Sequence, residues 1–363
     1  MNRPRSKSYA FIAHYVEPWN WLLNFQVFSF LHRRPELRVF LFPLYPLCVI
    51  MSVFYLLRRQ PFQVVDSYQV REGLRGYTIL INNFAWHFLF PRGYEKIRQR
   101  ILAATRYAQD ELGVDVVGLG ALTKAETITE GGAWLAEQPG IRIPVVHGDT
   151  CTAWFVIRRI VQVASVHRRT PIVMIGPTSK VGRAVMLYLI ERGFVFKALT
   201  RSRERFLEIQ AELPEHLRRN LIHIEDLSQA SDCRLWLTGK SKPDGSTLLR
   251  HIPAGATVIN FSVPDPLSEW NLSRRRDITH IEGGLVQTPQ GCDMRFTMRL
   301  TPRMTYACTT GTMIHAWERW PEKEVGEVDM ARLMQIASAS DALELDLVPL
   351  RVSQTATNPG EAV

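Results

Sequence analysis

The sequence lacks the features that mark metal-binding and secreted proteins. Its five cysteines, at positions 48, 151, 233, 292 and 308, are odd in number and form no C-x-x-C pair. This pattern argues for a reducing compartment and against a structural zinc site, so we predict no metal centre. The N-terminus is basic, but no small-residue cleavage site follows a short apolar stretch, and we expect no cleavable signal peptide. No Tyr-x-x-x-Lys pair of the short-chain dehydrogenase kind occurs.

Acidic residues are scarce at the start of the chain. Positions 1–100 hold 14 Lys and Arg against five Asp and Glu, whereas the rest of the 363 residues hold 30 of each sign. The formal charge of +9 therefore lies entirely in the first hundred residues. This imbalance predicts an acidic partner, either anionic lipid headgroups, an acidic carrier protein or nucleic acid. We expect no nucleic acid, because no reader motif accompanies the charge.

One uncharged apolar stretch, residues 39–57, is bracketed by arginines. Its 19 residues approach the roughly 20 that span a bilayer, but Pro43 and Pro46 interrupt a helix in its first third. The preceding residues 19–31 have the aromatic and small polar composition of membrane interfaces. We predict that residues 1–61 associate with the cytoplasmic face of an anionic membrane. We favour a monotopic or re-entrant hairpin over a true span and over a buried core hairpin.

The stretch 170–203 is predicted to form a strand, a glycine turn, a helix and a second strand. An apolar strand over 171–175 leads into a turn between Gly176 and Gly182 and then an apolar helix. This is the opening of a dinucleotide-binding fold, in which amides at the helix N-terminus face a phosphate. The usual G-x-G-x-x-G spacing is absent, and Ser179 stands where a G-x-x-G-x-x-G variant has its middle glycine. A turn with a purely structural role is the alternative.

Basic residues end the second strand, in the run Thr200-Arg201-Ser202-Arg203. An NAD site has an acidic residue at this place, whereas an NADP site accepts arginine. Two guanidinium groups suit a 2′-phosphate, so we predict NADPH as the cofactor. The alternative, a solvated helix start, would set two cations against the helix dipole. The predicted cofactor-binding residues lie in the turn and at strand ends: Gly176, Thr178, Ser179, Lys180, Val181, Gly182, Arg201, Ser202, Arg203, Thr238, Ser262 and Gly284.

The remaining pattern predicts an α/β protein, with a Rossmann-like NADP-binding domain and a smaller α/β domain. Asp149 and Thr150 are predicted to cap a helix, with contact to a ligand phosphate as the alternative. The strand over 279–286 is broken by two glycines. The predicted domains after the membrane-associating segment are an N-terminal α/β substrate domain at 62–148, the Rossmann-like domain at 149–300, C-terminal helices at 301–352 and a disordered tail at 353–363.

Cys308 is the candidate nucleophile. It lies in Tyr306-Ala-Cys-Thr-Thr-Gly-Thr312, a run of small and hydroxylated residues that would leave room for a substrate. A cysteine in a helix is more often a packing residue, so both roles stay open from the residues alone. His315 is not its base if both share a regular helix, because seven residues rise roughly 10 Å. A base would have to come from another segment, for which His147 is one candidate.

Several short motifs follow one another in a fixed order over residues 62–351. They are Gln63-Val-Val-Asp66 with Gln69-Val70, Gly118-Leu-Gly-Ala121, Gly148-Asp-Thr-Cys-Thr-Ala153, the Gly176–Gly182 turn, Arg201-Ser-Arg203, Gly283-Gly-Leu-Val286 and Tyr306-Ala-Cys308 with Trp320. This order resembles the long-chain fatty acyl-ACP (acyl carrier protein) reductases of cyanobacteria. It also resembles the C-terminal domain of the plant wax and alkane-forming aldehyde proteins. Ser179 replaces the reductases' middle glycine, the plant proteins lack the cysteine, and the soluble reductases lack the apolar N-terminal stretch.

The resemblance implies NADPH-dependent reduction of a fatty acyl thioester, carried by acyl carrier protein or coenzyme A, to a fatty aldehyde through an acyl-enzyme on Cys308. An aldehyde-consuming enzyme is then a further expected partner. Two alternatives stay open. The chain could be a non-catalytic acyl- or aldehyde-binding subunit that scaffolds a membrane lipid enzyme. It could also be an NADP-dependent reductase of another small carbonyl, with a structural Cys308.

Overall fold

The computed structural model describes residues 6–18, 22, 28, 40–41, 43–164, 170–240, 244–262, 265–267, 269–296, 300 and 303–350. The strands of these residues, in chain order, are β1 (Lys7–Tyr15), β2 (Phe62–Arg71), β3 (Leu74–Phe84), β4 (Val116–Leu119), β5 (Val145–Val146), β6 (Ile172–Ile175), β7 (Phe196–Leu199), β8 (Leu221–Ile224), β9 (Leu235–Thr238), β10 (Thr257–Asn260), β11 (Thr279–Glu282), β12 (Leu285–Gln287), β13 (Met304–Tyr306) and β14 (Asp346–Leu347).

The helices lie between these strands and at their ends. They are α1 (Tyr45–Leu57), α2 (Tyr94–Asp110), α3 (Glu126–Thr129), α4 (Ala133–Ala136), α5 (Asp149–Ala164), α6 (Lys180–Ile190), α7 (Arg203–Ala211), α8 (Gly245–His251), α9 (Glu269–Ser273), α10 (Ala307–Glu318) and α11 (Met330–Ala342). Short 3₁₀ turns are Ala85–Leu89, Pro91–Gly93, Ala121–Lys124, Glu130–Gly132, Glu215–Asn220 and Leu227–Ala230. The predicted mixed α/β class is confirmed.

The first sheet has the strand order β2-β3-β1-β4-β5 and is parallel except for β2, which pairs antiparallel with β3. Its central strand is β1, in which Tyr9 to Ala13 are buried on both faces, as parallel strands covered on both sides require. The prediction that residues 1–61 are a membrane-associating segment is therefore corrected for Lys7–Tyr15. This strand belongs to the core of the first α/β unit.

The apolar stretch 39–57 contains α1. The helix begins at Tyr45 with Pro46 in its first turn and ends before Arg58. Proline is tolerated there because the first helical N–H groups have no intrahelical partner. Within the described ranges, no helix is long and apolar enough to cross a membrane. Apart from positions 22 and 28, the aromatic stretch 19–31 lies outside the described residues.

The second sheet is parallel throughout, with the order β11-β10-β9-β6-β7-β8. Counted within the sheet from β6, this is 6-5-4-1-2-3, the strand order of a doubly wound dinucleotide-binding sheet. Its switch point lies between β6 and β9, where Ile175 is in register with Thr238. Ligands bind beyond the carboxyl ends of the strands at such a point. The glycine turn after β6 occupies this place.

The chain passes from one sheet to another at Gly283 and Gly284. These are the two glycines that are predicted to break a strand over 279–286. The segment before them, β11, is an edge strand of the second sheet. The segment after them, β12, pairs antiparallel with β13 and β14 in a third sheet. A Cβ at Gly283 would lie 2.6 Å from the Ile259 side chain, so the crossing requires glycine.

Helix α5 joins the two parallel sheets. It packs against α6 of the second unit and against α10, which in turn packs on β1 and β4 of the first sheet. The predicted C-terminal helices therefore complete the first α/β unit. The predicted tail at 353–363 lies outside the described residues.

Candidate functional site

The glycine turn after β6 has the backbone that a phosphate site needs. Gly176 has φ of +81°, and a Cβ there would lie 2.7 Å from the Lys240 side chain, so a larger residue would be strained. Ser179 is the N-cap of α6: its hydroxyl accepts the Gly182 N–H at 3.1 Å and donates to the Gly176 carbonyl at 2.8 Å. Ser179 thus satisfies one of the amides at the helix start that have no intrahelical partner.

Cationic side chains surround this turn. Lys240 Nζ donates to Thr178 Oγ1 at 3.0 Å. Arg201 and Arg203 are exposed at the end of β7, while Ser202 caps α7 by accepting the Arg205 N–H. Exposed guanidinium groups beside a helix N-terminus suit the phosphates of NADP(H). These residues fit that cofactor, although sequence analysis missed Lys240.

The other predicted cofactor-binding residues differ in burial and in hydrogen bonding. Val181 is buried in the core of the second unit. Thr238 and Ser262 both donate to Asn260 Oδ1, at 2.8 and 2.9 Å, so their hydroxyls belong to a buried network at the strand ends. Gly284 is open, since a Cβ added there would meet no described atom within 4 Å. Asn260, which organises the network, was not predicted from sequence.

A cluster of buried charged side chains lies at the carboxyl ends of the first sheet. Lys124, in the turn after β4, contacts the Asp149 carboxylate and donates to the His147 carbonyl at 2.8 Å. His147, directly after β5, has its Nδ1 3.2 Å from Glu324 Oε1. His315 Nε2 lies 2.8 Å from Glu324 Oε2. Of this group, the sequence predicts only His147 as a candidate base and gives Asp149 ligand contact as an alternative to a helix cap.

Backbone pairing fixes Glu324 at the cluster. Its N–H donates to the Val145 carbonyl, and its carbonyl accepts the His147 N–H, each at 2.9 Å. Glu324 thus extends the first sheet beside β5. Glu324 lies in the loop after α10 and belongs to no sequence motif, so the sequence does not single it out.

The buried groups hold each other in their charged forms. Burial alone would raise the pKa of Glu324, but hydrogen bonds from His147 and His315 bring it well below its usual range. Burial alone would lower the pKa of His147, whereas Glu324 and then Asp149 raise it. Burial would likewise neutralise Lys124 and Asp149, yet their mutual attraction raises the pKa of the first and lowers that of the second. Such costly buried charges concentrate at functional sites.

Cys308 lies next to this cluster as the second residue of α10. Burial raises the pKa of its thiol, while the Lys124 charge opposes that shift and the Asp149 charge adds to it. The amides of Thr309 and Cys308 at the helix start also favour the thiolate. Cys308 is partly exposed, whereas Cys151 is fully buried with its sulfur 3.2 Å from Thr310 Oγ1.

The small residues around Cys308 serve packing. A Cβ at Gly148 would lie 2.7 Å from Cys308 Cα, and one at Gly118 would lie 2.8 Å from Thr312 Cβ. A Cβ at Gly311 would lie 3.0 Å from Cys151. These glycines bring α10 close to β4 and α5, whereas room for a substrate beside Cys308 stays a prediction.

Asp149 and Thr150 also differ from their predicted roles as helix caps. Asp149 is the first residue of α5 and pairs with Lys124. Thr150 is fully buried, and its hydroxyl has no hydrogen-bond partner in the described part of the chain. His315 shares α10 with Cys308, so the argument against it as a base holds.

The glycine turn and the buried cluster border the same interface between the two units. Lys180, at the start of α6, has its Nζ 3.1 Å from Glu126 Oε2 of α3. Its charge also contributes to the lowered pKa of Asp149. The Gly326 N–H donates to the Gly131 carbonyl at 3.2 Å, which ties the loop of Glu324 to the turns after β4. The predicted cofactor turn and the buried cluster are therefore neighbours.

A separate group could offer metal ligands. Among the described residues, ligand atoms of Asp265, His280 and Glu282 lie within 4.8 Å of one another. His280 Nε2 is 2.9 Å from Asp265 Oδ2, which is also the geometry of an ion pair. Burial, followed by the Asp265 charge, raises the pKa of Glu282 to about 7.

Comparison with known proteins agrees with part of this picture. Residues 172–349 match the family described as CER1-like, C-terminal domain. The very-long-chain aldehyde decarbonylase GL1-1 of Oryza sativa subsp. indica is 29% identical over 334 residues, which cover 90% of this chain and 51% of that protein. GL1-2 of the same plant is 31% identical over 291 residues, which cover 79% and 44%. The chain is homologous to these plant aldehyde decarbonylases. It spans about half of their length.

The resemblance to the plant aldehyde proteins is thus confirmed, while that to the acyl-ACP reductases stays a prediction. Among solved structures, the chain overlaps the L-tryptophan dehydrogenase of Nostoc punctiforme with a TM-score of 0.43 at 11% identity. The overlap covers 94% of this chain and 82% of the dehydrogenase. A TM-score at that level carries no argument about function.

Proposed function

We propose that the chain catalyses the NADPH-dependent reduction of a long-chain fatty acyl thioester to a fatty aldehyde, through an acyl-enzyme on Cys308. The observation that carries this proposal is the position of a partly exposed thiol at the start of α10, beside Lys124 and at the interface that the glycine turn borders. The plant relatives are named very-long-chain aldehyde decarbonylases, which supports a long-chain aldehyde as a compound that this chain handles.

In the acylation step, the Cys308 thiolate attacks the thioester carbonyl. A bond forms between Sγ and the carbonyl carbon, the bond to the carrier sulfur breaks, and the departing carrier thiolate takes up a proton in place of the one that Cys308 lost when it ionised. Lys124 favours the Cys308 thiolate through its charge, and Asp149 holds the ammonium group in place. Amides at the start of α10 favour negative charge on the sulfur and on the carbonyl oxygen.

In the reductive step, bound NADPH supplies hydride to the acyl carbon. The amides at the start of α6 are suited to its pyrophosphate, and Arg201 and Arg203 to its 2′-phosphate. The acyl carbon gains two electrons, its bond to Sγ breaks, and Cys308 returns to the thiolate as the aldehyde leaves. The product is consumed elsewhere, so an aldehyde-consuming enzyme is a proposed partner.

Intact-protein mass spectrometry with palmitoyl-coenzyme A tests this proposal. Without NADPH, wild type should gain one palmitoyl group at Cys308, and added NADPH should release it as hexadecanal. C308S should gain none, whereas C292S, at the other partly exposed cysteine, should behave as wild type. A wild-type protein with neither adduct nor aldehyde contradicts the proposal, as does an adduct that persists in C308S. Palmitoyl-ACP in parallel distinguishes the two carriers.

A second candidate is a non-catalytic acyl- or aldehyde-binding subunit of a membrane lipid enzyme. The raised pKa of the Cys308 thiol favours it, because a protonated thiol is a poor nucleophile. This candidate predicts that the protein binds palmitoyl-coenzyme A without turnover and that C308S binds it equally well.

A further inference from the structure

Helix α1 presents two chemically different faces. Its inner face is held to the first unit through Ser52, whose hydroxyl accepts the Trp86 indole N–H at 3.1 Å. Arg100 also donates to the Tyr55 carbonyl at 3.2 Å. The outer face carries large apolar side chains at helical spacing that are about half exposed or more: Leu47, Ile50, Val53, Phe54 and Leu57. This face therefore remains uncovered although the helix is firmly attached.

A second segment extends this apolar surface. Leu89 and Phe90, at the end of the 3₁₀ turn after β3, have exposed fractions of 75% and 57%. The Trp86 ring links them to α1, because it bonds Ser52 and lies 5.9 Å from the Phe90 ring. We call the surface formed by Leu47, Ile50, Val53, Phe54, Leu57, Leu89 and Phe90 the apolar face. Exposed contiguous apolar surfaces of this kind mark interaction sites.

Positive charges closely follow both segments of the apolar face. Arg58 and Arg59 follow α1, and Arg92 follows Phe90; all three are exposed. The sequence has no acidic residue between Glu36 and Asp66 or between Glu72 and Glu95. Within the described residues, these three arginines make no ion pair with a carboxylate. Their charge is therefore available to an anionic partner.

We infer that the apolar face docks on an anionic lipid bilayer, with its leucine and phenylalanine side chains among the acyl chains and the three arginines at the lipid phosphates. Apolar groups bordered by cations match the layered chemistry of that interface. A second copy of the chain is a poorer occupant, because a self-complementary contact would bring like-charged arginines together. This inference stands independently of the proposed function, since it involves neither Cys308 nor the glycine turn.

Vesicle flotation with the full chain tests the inference. Wild type should float with vesicles that contain about 30% phosphatidylserine and remain mostly unbound with neutral phosphatidylcholine vesicles. F54S/L57S/L89S should lower the partition coefficient by about tenfold or more. L207S/M334S, which alters exposed apolar residues elsewhere, should bind as wild type. R58Q/R59Q/R92Q should weaken binding and reduce its dependence on salt, whereas R219Q/R250Q/R276Q, at exposed arginines of the second unit, should retain both.

Thermal unfolding should change little in these variants, because the altered side chains lie outside the core, although the Arg58 guanidinium contacts the Tyr55 ring at 4.8 Å. Binding by F54S/L57S/L89S equal to that of L207S/M334S would overturn the inference. So would a wild-type protein that ignores both kinds of vesicle, whether its apolar face is covered by another segment of the chain or by a second copy. Sedimentation would identify the last case as a dimer that F54S/L57S/L89S abolishes. Loss of acyl-enzyme formation would leave the inference untouched.

Discussion

The carboxyl ends of the two parallel sheets carry charge in opposite settings. At the first sheet, charged groups are largely withdrawn from water and paired: Lys124 with Asp149, and Glu324 with His147 and His315. At the second sheet, Arg201 and Arg203 stand in solvent beside the glycine turn. Burying a charge costs several kcal/mol unless a partner compensates it, whereas an exposed guanidinium keeps its hydration until an anion arrives.

This contrast separates two kinds of function. The first edge is a preorganised set of groups whose charges are fixed before any substrate arrives, as a nucleophile and its supporting cation require. The second edge is suited to an exchangeable, highly charged ligand. Substitutions at the first edge should therefore mainly lower the free energy of unfolding. Substitutions at the second edge should mainly weaken the binding of the charged ligand.

The largest expected effect is at the first edge. Glu324→Gln removes the carboxylate that pairs with both His147 and His315, so we expect a loss of about 3–5 kcal/mol in the free energy of unfolding. Urea denaturation followed by circular dichroism measures it. The matched control is Glu322→Gln, which removes an exposed carboxylate from its ion pair with Arg332 and should cost much less. Equal losses in the two variants would show that the buried Glu324 carboxylate contributes no more to the free energy of unfolding than the exposed Glu322 carboxylate.

The same variant should change how stability depends on pH. The folded-state pKa of His147 is raised, so its contribution is fully present below about pH 6.5 and is lost as the pH rises through that raised value. Asp149 and Glu324 have lowered pKa values, so their contribution is present above about pH 4.5 and is lost as the pH falls. Glu324→Gln should flatten both limbs. A curve parallel to that of wild type would contradict the assignment of the cluster.

The second edge was largely predictable from sequence, because its signals are local. The turn from Gly176 to Gly182 and the arginines after β7 lie within one strand–turn–helix–strand unit, and periodicity alone places them at strand ends. The structure adds Lys240 and Asn260, which reach the crevice from later strands. Their sequence neighbourhoods contain no motif that would single them out.

The first edge was mostly missed, because it is assembled from distant segments. Lys124 and Glu324 are 200 positions apart and meet only because the loop after α10 pairs with β5. The central strand β1 was missed for a related reason: its apolar run resembles the membrane-type residues that follow it. Only long-range strand pairing distinguishes the two.

A smaller effect, on the affinity for NADPH, is expected at the second edge. Arg201→Ala with Arg203→Ala should weaken NADPH binding by about 100-fold or more, because each lost charge-assisted hydrogen bond contributes about 1.5–3 kcal/mol. NADH binding should change little, since NADH has no 2′-phosphate. Fluorescence titration measures both affinities, and Arg219→Ala provides an exposed arginine of the same unit as a control. A parallel loss of NADH binding would mean that the arginines support the fold of the turn.

The smallest expected effect concerns Ser179, the residue in place of a glycine. Its hydroxyl caps α6, so Ser179→Ala should lower the free energy of unfolding by about 1 kcal/mol and Ser179→Gly by only a few tenths. Ser202→Ala, which removes the corresponding cap of α7, calibrates the cost of losing a cap without touching the turn. Because Ser179 occupies one amide of the helix start, Ser179→Gly should leave or tighten NADPH affinity. If it weakens that affinity instead, the serine hydroxyl contacts the ligand directly, and the second edge is as preorganised as the first.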